Sequence, residues 1–307
     1  MGLKSLFFLL LVLGLSANEL ITPLPLHPTY NKPKALLGKA LFSDVRLSKD
    51  RKTSCSSCHI LEEGGTDHKP SQKIQKETTL LLNVPTVFNA VYNFKNFWDG
   101  RANNLTEQVR DSLLNPLFVG NDKKTLIQNV KHSYQNSFQN LYDDGVTFET
   151  IVDALVEFQK ALTTPNAPFD KYLRGDKNAL TYEEIRGYEV FKSSGCIACH
   201  NGINLGGNSY SKIEVLAGEK IPYLGRYNVT KNPKDSYFIK VPTLRNILLT
   251  SPYFHDGNIA TIDEAIAGVS RHALQRKLTS SEIESLIHFL NTLTGELPAI
   301  LKEDSIR

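Results

Sequence analysis

Wherever this chain shows a clear pattern, its apolar side chains recur at helical spacing and do not alternate. Phe148, Ile151, Val152 and Leu155 fall on one face of a segment running from Thr147 to Leu162, and Pro165 and Pro168 then break it. Thr181 with Glu184 forms a capping box ahead of Ile185, Tyr188 and Phe191. Thr279 with Glu282 does the same ahead of Ile283, Leu286, Ile287 and Leu290, and Gly295 is read as closing that helix. No run alternates convincingly between apolar and polar residues. The pattern therefore predicts an all-α protein in which two long irregular segments, 60–84 and 201–240, wrap bound groups.

The chain is also duplicated. Pro85-Thr86-Val87-Phe88-Asn89 is matched by Pro242-Thr243-Leu244-Arg245-Asn246. Seven residues separate each Asn from Phe97-Trp98-Asp99-Gly100 and Phe254-His255-Asp256-Gly257. After four more come Leu105-Thr106-Glu107 and Ile262-Asp263-Glu264, with Thr106 and Asp263 read as helix caps ahead of an acidic first turn. Gly38-x-x-x-Phe42 has its counterpart in Gly187-x-x-x-Phe191. Each half reads as one repeated unit.

Both halves contain Cys-x-x-Cys-His, Cys55 to His59 and Cys196 to His200, and these motifs use every cysteine in the chain. Thioethers from two such cysteines fix a haem, and the adjacent histidine supplies an axial nitrogen to its iron, so the spacing reads as c-type attachment of two covalent haems. The competing readings fit less well. A redox dithiol does not require the following histidine, and a zinc ribbon needs its cysteine pairs close together in the chain.

Residues 1–17 read as a cleaved secretory signal: Lys4 is the positive region, Leu6 to Leu15 the apolar core, and Ser16-Ala17 the small-residue exit. That core is too short to span a bilayer, and no later apolar run is long enough, so no membrane span is expected after cleavage. Because c-type haem is attached outside the cytoplasm, the leader and the haem motifs point together to a bacterial periplasm. Formal net charge is +3, one less without Lys4, which argues against a nucleic-acid partner. The expected architecture is two cytochrome-c-like domains, 18–165 and 166–307.

Taken in order, these motifs resemble the bacterial di-haem cytochrome c peroxidases and the related di-haem enzymes that mature methylamine dehydrogenase. The resemblance runs through both haem motifs, Gly64-Gly65, Pro85-Thr86, Phe97-Trp98-Asp99-Gly100-Arg101, Gln108, the Pro242 to Asn246 and Pro252 to Gly257 stretches, and Leu293-Thr294-Gly295. It implies an enzyme that reduces hydrogen peroxide to water with electrons from a small cytochrome c. By motif position, His59 is then the axial ligand of the peroxidatic haem and His200 that of the electron-entry haem. Trp98 matches the family's tryptophan between the haems, and Gln108 its catalytic glutamine. The resemblance further implies a calcium ion held by Asn83, Thr250 and Pro252, and a homodimer. Arg101 and Arg245 are candidate haem-propionate partners, because a guanidinium grips a carboxylate bidentately; a surface ion pair is the competing reading.

This sequence also departs from the family pattern. Met1 is the only methionine, and Val269 stands where the peroxidases carry a methionine ligand to the electron-entry iron. His272 is the nearest candidate distal ligand and His255 the second. The displaceable histidine of the other haem falls near Gln75, leaving His68 as a candidate substitute. Phe118 occupies the place of the family's glutamate, which would carry the proton between the peroxide oxygens, and Asp111 or Glu107 is the alternative carboxylate. Two other functions follow from these departures: an oxidase or modifying enzyme acting on a protein or organic partner, and a non-catalytic electron carrier.

Overall fold

The computed structural model describes residues 20–70, 72–73, 80–212 and 223–306; the signal-peptide reading and Gln75 lie outside them. In chain order the helices are α1 (Lys32–Phe42), α2 (Leu105–Leu114), α3 (Lys123–Gln139), α4 (Phe148–Ala161), α5 (Pro168–Leu173), α6 (Tyr182–Ser193), α7 (Tyr227–Thr230), α8 (Ile262–His272) and α9 (Ser280–Asn291). The strands form two small antiparallel ribbons, β1 (Gln72–Lys73) with β2 (Leu80–Leu81) and β3 (Tyr210–Lys212) with β4 (Phe238–Lys240). The all-α expectation holds, with these short ribbons added.

Each half is built on one helix crossing, α1 over α4 and α6 over α9. At the crossing points sit Gly38 and Gly187. A Cβ on Gly38 would meet the Ala154 carbonyl and Phe158, and one on Gly187 would meet the Ser285 carbonyl and Phe289. The absence of a side chain lets the two backbones touch, and aromatic rings then close the crossing. Phe42 meets Phe158 edge-on at 5.2 Å, and Phe191 lies 5.0 Å from Phe289. Around them, Leu37, Leu41, Ile151 and Leu155 are buried in the first core, and Tyr188, Leu286 and Leu290 in the second. Each such side chain contributes about 1.5–3 kcal/mol by leaving water.

Thr147, Thr181 and Thr279 cap α4, α6 and α9 with reciprocal capping boxes. The caps of the equivalent helices α2 and α8 are corrected from Thr106 and Asp263 to Asn104 and Thr261. Asn104 accepts from the Glu107 N–H at 2.9 Å, so Thr106 and Asp263 lie inside the first turn. Gly295 does not end α9, which is capped by Thr292; its N–H instead reaches the Asn246 side chain at 3.0 Å.

Segments near each end of the described chain cross to the other half. Ile21 is part of the second core, the Thr22 carbonyl accepts from Arg245, and the Leu24 carbonyl accepts from Arg174. Ile300 is part of the first core, where Lys39 Nζ donates to the Ile300, Leu301 and Glu303 carbonyls at 2.6–3.1 Å.

Candidate active site and haem-binding turns

Each Cys-x-x-Cys-His motif is a single tight turn. The His59 N–H donates to the Cys55 carbonyl at 2.9 Å, and the His200 N–H to the Cys196 carbonyl at 3.0 Å. One turn therefore places both thiols and the imidazole on a common side. His59 Nδ1 lies 3.0 Å from the Gly65 carbonyl and His200 Nδ1 3.1 Å from the Leu205 carbonyl. An Nδ1–H donated to a carbonyl leaves the Nε2 lone pair for a metal. Burial pushes the His59 pKa down, and that of His200 down to about 4, so both rings are neutral at neutral pH.

The four cysteines form no disulfide. Burial pushes the Cys55 thiol up to about 12 and the Cys196 thiol up to about 11. An activated dithiol or a zinc thiolate needs the opposite shift. Free thiols paired with neutral imidazoles of fixed tautomer suit thioether attachment and axial ligation, so the residues fit a haem in each half.

The loops that carry these turns are equivalent in detail. The Thr86 hydroxyl donates to the Gly64 carbonyl and the Thr243 hydroxyl to the Asn204 carbonyl, both at 2.6 Å. Phe97 and Phe254 both adopt left-handed backbone, with φ of 65° and 67°.

Trp98 lies where the halves meet. Its indole N–H donates to the Asn83 carbonyl at 2.8 Å, and its own carbonyl accepts from the Lys240 N–H at 2.8 Å. The His255 ring stands edge-on to it at 6.4 Å and lies 5.9 Å from Tyr223. Asn83 Nδ2 donates to the Pro252 and Phe254 carbonyls, whereas its buried Oδ1 has no partner. Turning this amide over would set Oδ1 among the same carbonyls, giving the all-oxygen donor set that a calcium ion takes.

On α2, Gln108 Nε2 donates to Ser112 Oγ at 2.9 Å, and its buried Oε1 has no partner. Asp111 lies one turn on and is gripped by Arg101 at 3.2 Å, while Glu107 is exposed and accepts from Asn103. Arg101 also pairs with Asp99 at 3.1 Å and covers the Phe97 ring at 3.5 Å. Phe118 stacks on the other partner of this group, its ring 6.1 Å from Phe97 and nearly parallel.

The structure bears on four of the sequence readings. Arg245 is not available to a propionate: fully buried, it holds Asp170 bidentately at 2.9 and 3.0 Å, and it also bonds the Ile203 and Thr22 carbonyls. Arg101 is likewise tied to Asp99 and Asp111. His68 turns Nδ1 to the Ser251 carbonyl at 2.8 Å and Nε2 to the Glu63 carbonyl at 2.7 Å, so neither nitrogen is free for an iron. His272 is exposed in the last turn of α8, one turn beyond half-buried Val269, and lines a cavity of about 780 Å³ together with Phe254, Ile283 and His288. The lining of this cavity includes neither His200 nor its cysteines.

Reading the sequence missed Lys240 and Tyr223, which flank Trp98. A lone lysine inside Phe238-Ile239-Lys240-Val241 was the available signal.

Comparison with known proteins agrees with this geometry. A family model described as "Di-haem cytochrome c peroxidase" matches residues 32–178. The chain is 43% identical to the cytochrome c551 peroxidase of Nitrosomonas europaea, over 92% of this chain and 86% of that one. It is 34% identical to the cytochrome c551 peroxidase of Pseudomonas aeruginosa, over 92% and 87%. Among solved structures, a MauG-like protein associated with microbial copper homeostasis superposes with a TM-score of 0.79 at 25% identity, covering 94% of this chain and 97% of that one. The chain belongs to the di-haem cytochrome c peroxidase family.

Proposed function

We propose that this chain is a periplasmic peroxidase carrying two covalent c-type haems, which reduces hydrogen peroxide to water with electrons from a small c-type cytochrome. The observation that carries the reading is the repeated turn in which two free thiols accompany an imidazole whose Nδ1 is tied to a carbonyl. The haems supply peroxide binding and electron storage. Cys55, Cys58 and His59 hold the peroxidatic group, and Cys196, Cys199 and His200 the group at which electrons enter.

Two electrons and two protons convert one peroxide into two waters, so the chain must deliver protons as well as electrons. Gln108 presents its unpartnered Oε1 to the reacting oxygens and orients them. Asp111, one turn on along the same helix and held by Arg101, takes the proton task that Phe118 cannot perform. Trp98, hydrogen-bonded to Asn83 of its own half and Lys240 of the other, links the two redox centres. Asn83, Thr250 and Pro252 hold a calcium ion that stiffens this junction, and the enzyme works as a homodimer.

Stopped-flow mixing tests the assignment. A peroxidase changes its visible spectrum on mixing with peroxide and returns to rest on addition of reduced cytochrome c, with one peroxide consumed per two cytochromes oxidised. A carrier shows no reaction with peroxide. A modifying oxidase reacts with peroxide but is not returned to rest by the cytochrome.

A further inference from the structure

The duplication allows the two halves to be compared position by position. Leu105-Thr106-Glu107 of α2 matches Ile262-Asp263-Glu264 of α8, so Gln108, Asp111 and Ser112 correspond to Ala265, Gly268 and Val269. The core-facing rows are alike: Leu105 and Val109 pack into the first core, Ile262 and Ile266 against the second. The neighbouring rows differ. In α2 this row carries an amide, a carboxylate and a hydroxyl, with Gln108 Nε2 donating to Ser112 Oγ. In α8 the same three positions hold a methyl, no side chain and an isopropyl group.

The end of α8 is fastened to the second haem turn. A Cβ on Gly195 would lie 3.7 Å from Leu274, and Arg276 donates to Ser194 Oγ at 3.2 Å. Ile262, Ile266 and Cys196 pack against one core. The remaining imidazoles of the chain are placed elsewhere. His68 bonds two carbonyls, and His255, the repeat counterpart of Trp98, lies at the junction against Trp98 and Tyr223. His27, His132, His272 and His288 are exposed. Outside the described residues the only histidine, methionine or cysteine is Met1, in the segment read as a leader.

We propose that this chain leaves the sixth position of the second haem iron without a protein ligand, facing an apolar wall of Ile262, Ala265, Ile266 and Val269, as a binding site for an uncharged diatomic ligand such as carbon monoxide. The proposal rests on the haem reading above. A wall with no donor or acceptor disfavours an anion and tolerates a neutral ligand. Lacking counterparts of Gln108 and Asp111, it neither orients peroxide nor supplies a proton. The duplication thus yields a polar pocket for peroxide and an apolar one for a neutral ligand.

Purified holoenzyme is compared with Val269→Met, which sets a thioether on this wall, and with His272→Ala. Haemochrome assay counts the haems, and electron paramagnetic resonance of the oxidised protein reports their spin states. The dithionite-reduced protein is titrated with carbon monoxide. The expected result is two haems per chain in all three proteins. Wild type and His272→Ala hold only high-spin haem and bind two carbon monoxide per chain. In Val269→Met one haem turns low-spin, its midpoint potential rises, and one carbon monoxide is bound. The wild-type measurements carry the test if Val269→Met does not fold. A low-spin haem in the wild type, or carbon monoxide binding that Val269→Met does not reduce, overturns the open position while leaving the peroxidase reading intact. Wild-type protein with fewer than two haems overturns both.

Discussion

Asn89 and Asn246, equivalent residues of the two repeats, donate their side-chain amides to one acceptor, the Thr164 hydroxyl, at 2.8 and 3.0 Å. Thr164 also donates its N–H to Asn89 Oδ1, while the Gly295 N–H donates to Asn246 Oδ1. All of these groups are buried or nearly so, and they pin the two halves to one another at a single point. Thr164→Val keeps the shape and removes the acceptor. Two buried amides then lose their partner, and the expected cost is about 2–6 kcal/mol, from roughly 1–3 for each. Denaturant titration of the holoenzyme measures it, and a loss below about 0.5 kcal/mol would show that water takes over the acceptor role.

Gly38→Ala and Gly187→Ala each place a methyl into the backbone of the crossing helix. Overpacking of this kind costs typically about 1–3 kcal/mol, and more where the obstacle is backbone and cannot rotate away. Each variant is expected to loosen its own half, seen as selective loss of the α-band of one haem at elevated temperature. Equal effects on both haems from either variant would contradict two separately built crossings.

Phe118→Glu places a carboxylate where the family resemblance of the sequence leads one to expect it. Phe118 is 38% exposed, so the replacement costs little stability. General acid-base groups contribute typically about 100- to 10,000-fold, and even partial recovery should raise steady-state peroxide turnover at least about tenfold. No gain in that assay would assign the proton task to Asp111, which Asp111→Asn then tests directly.

Asn83→Leu removes the only side-chain oxygen proposed for calcium and also the two amide donations to the Pro252 and Phe254 carbonyls. Treatment of wild-type enzyme with a chelator is expected to lower activity and to be reversed by calcium, whereas Asn83→Leu is expected to be inactive under either condition. Isothermal titration of chelated wild-type protein showing no calcium binding would remove the ion from the mechanism.

His272→Ala bears on the second iron. If His272 is its distal ligand, the low-spin bands of that haem vanish in the variant and the visible spectrum becomes high-spin. An unchanged spectrum excludes His272 and leaves this iron without an imidazole from α8.

Much of the architecture was legible because its signals are local. The capping boxes of α6 and α9 and the apolar face of α4 are encoded within a few residues, and the duplication is explicit in paired motifs. Helices α1 and α3 were passed over for the same reason. In α3 the buried row Leu126, Val130, Tyr134 and Phe138 is a single file among polar residues, and α1 offers two lysines in its first turn and no acidic residue there. The two Cys-x-x-Cys-His turns were legible as local motifs. The fate of Arg245 was not, because its partner Asp170 lies far away in sequence and no local pattern couples them. The same holds for Lys240, whose burial is a property of packing.

The crossing of segments 20–24 and 299–303 onto opposite halves has a topological consequence. A protease that nicks the connection near Pro165 would not release two haem lobes, since each fragment would still hold a piece of the other's interior. The lobes would stay together after cleavage, and separating them would require unfolding. Loosening one lobe should therefore weaken the other to a lesser degree, while the pair stays joined.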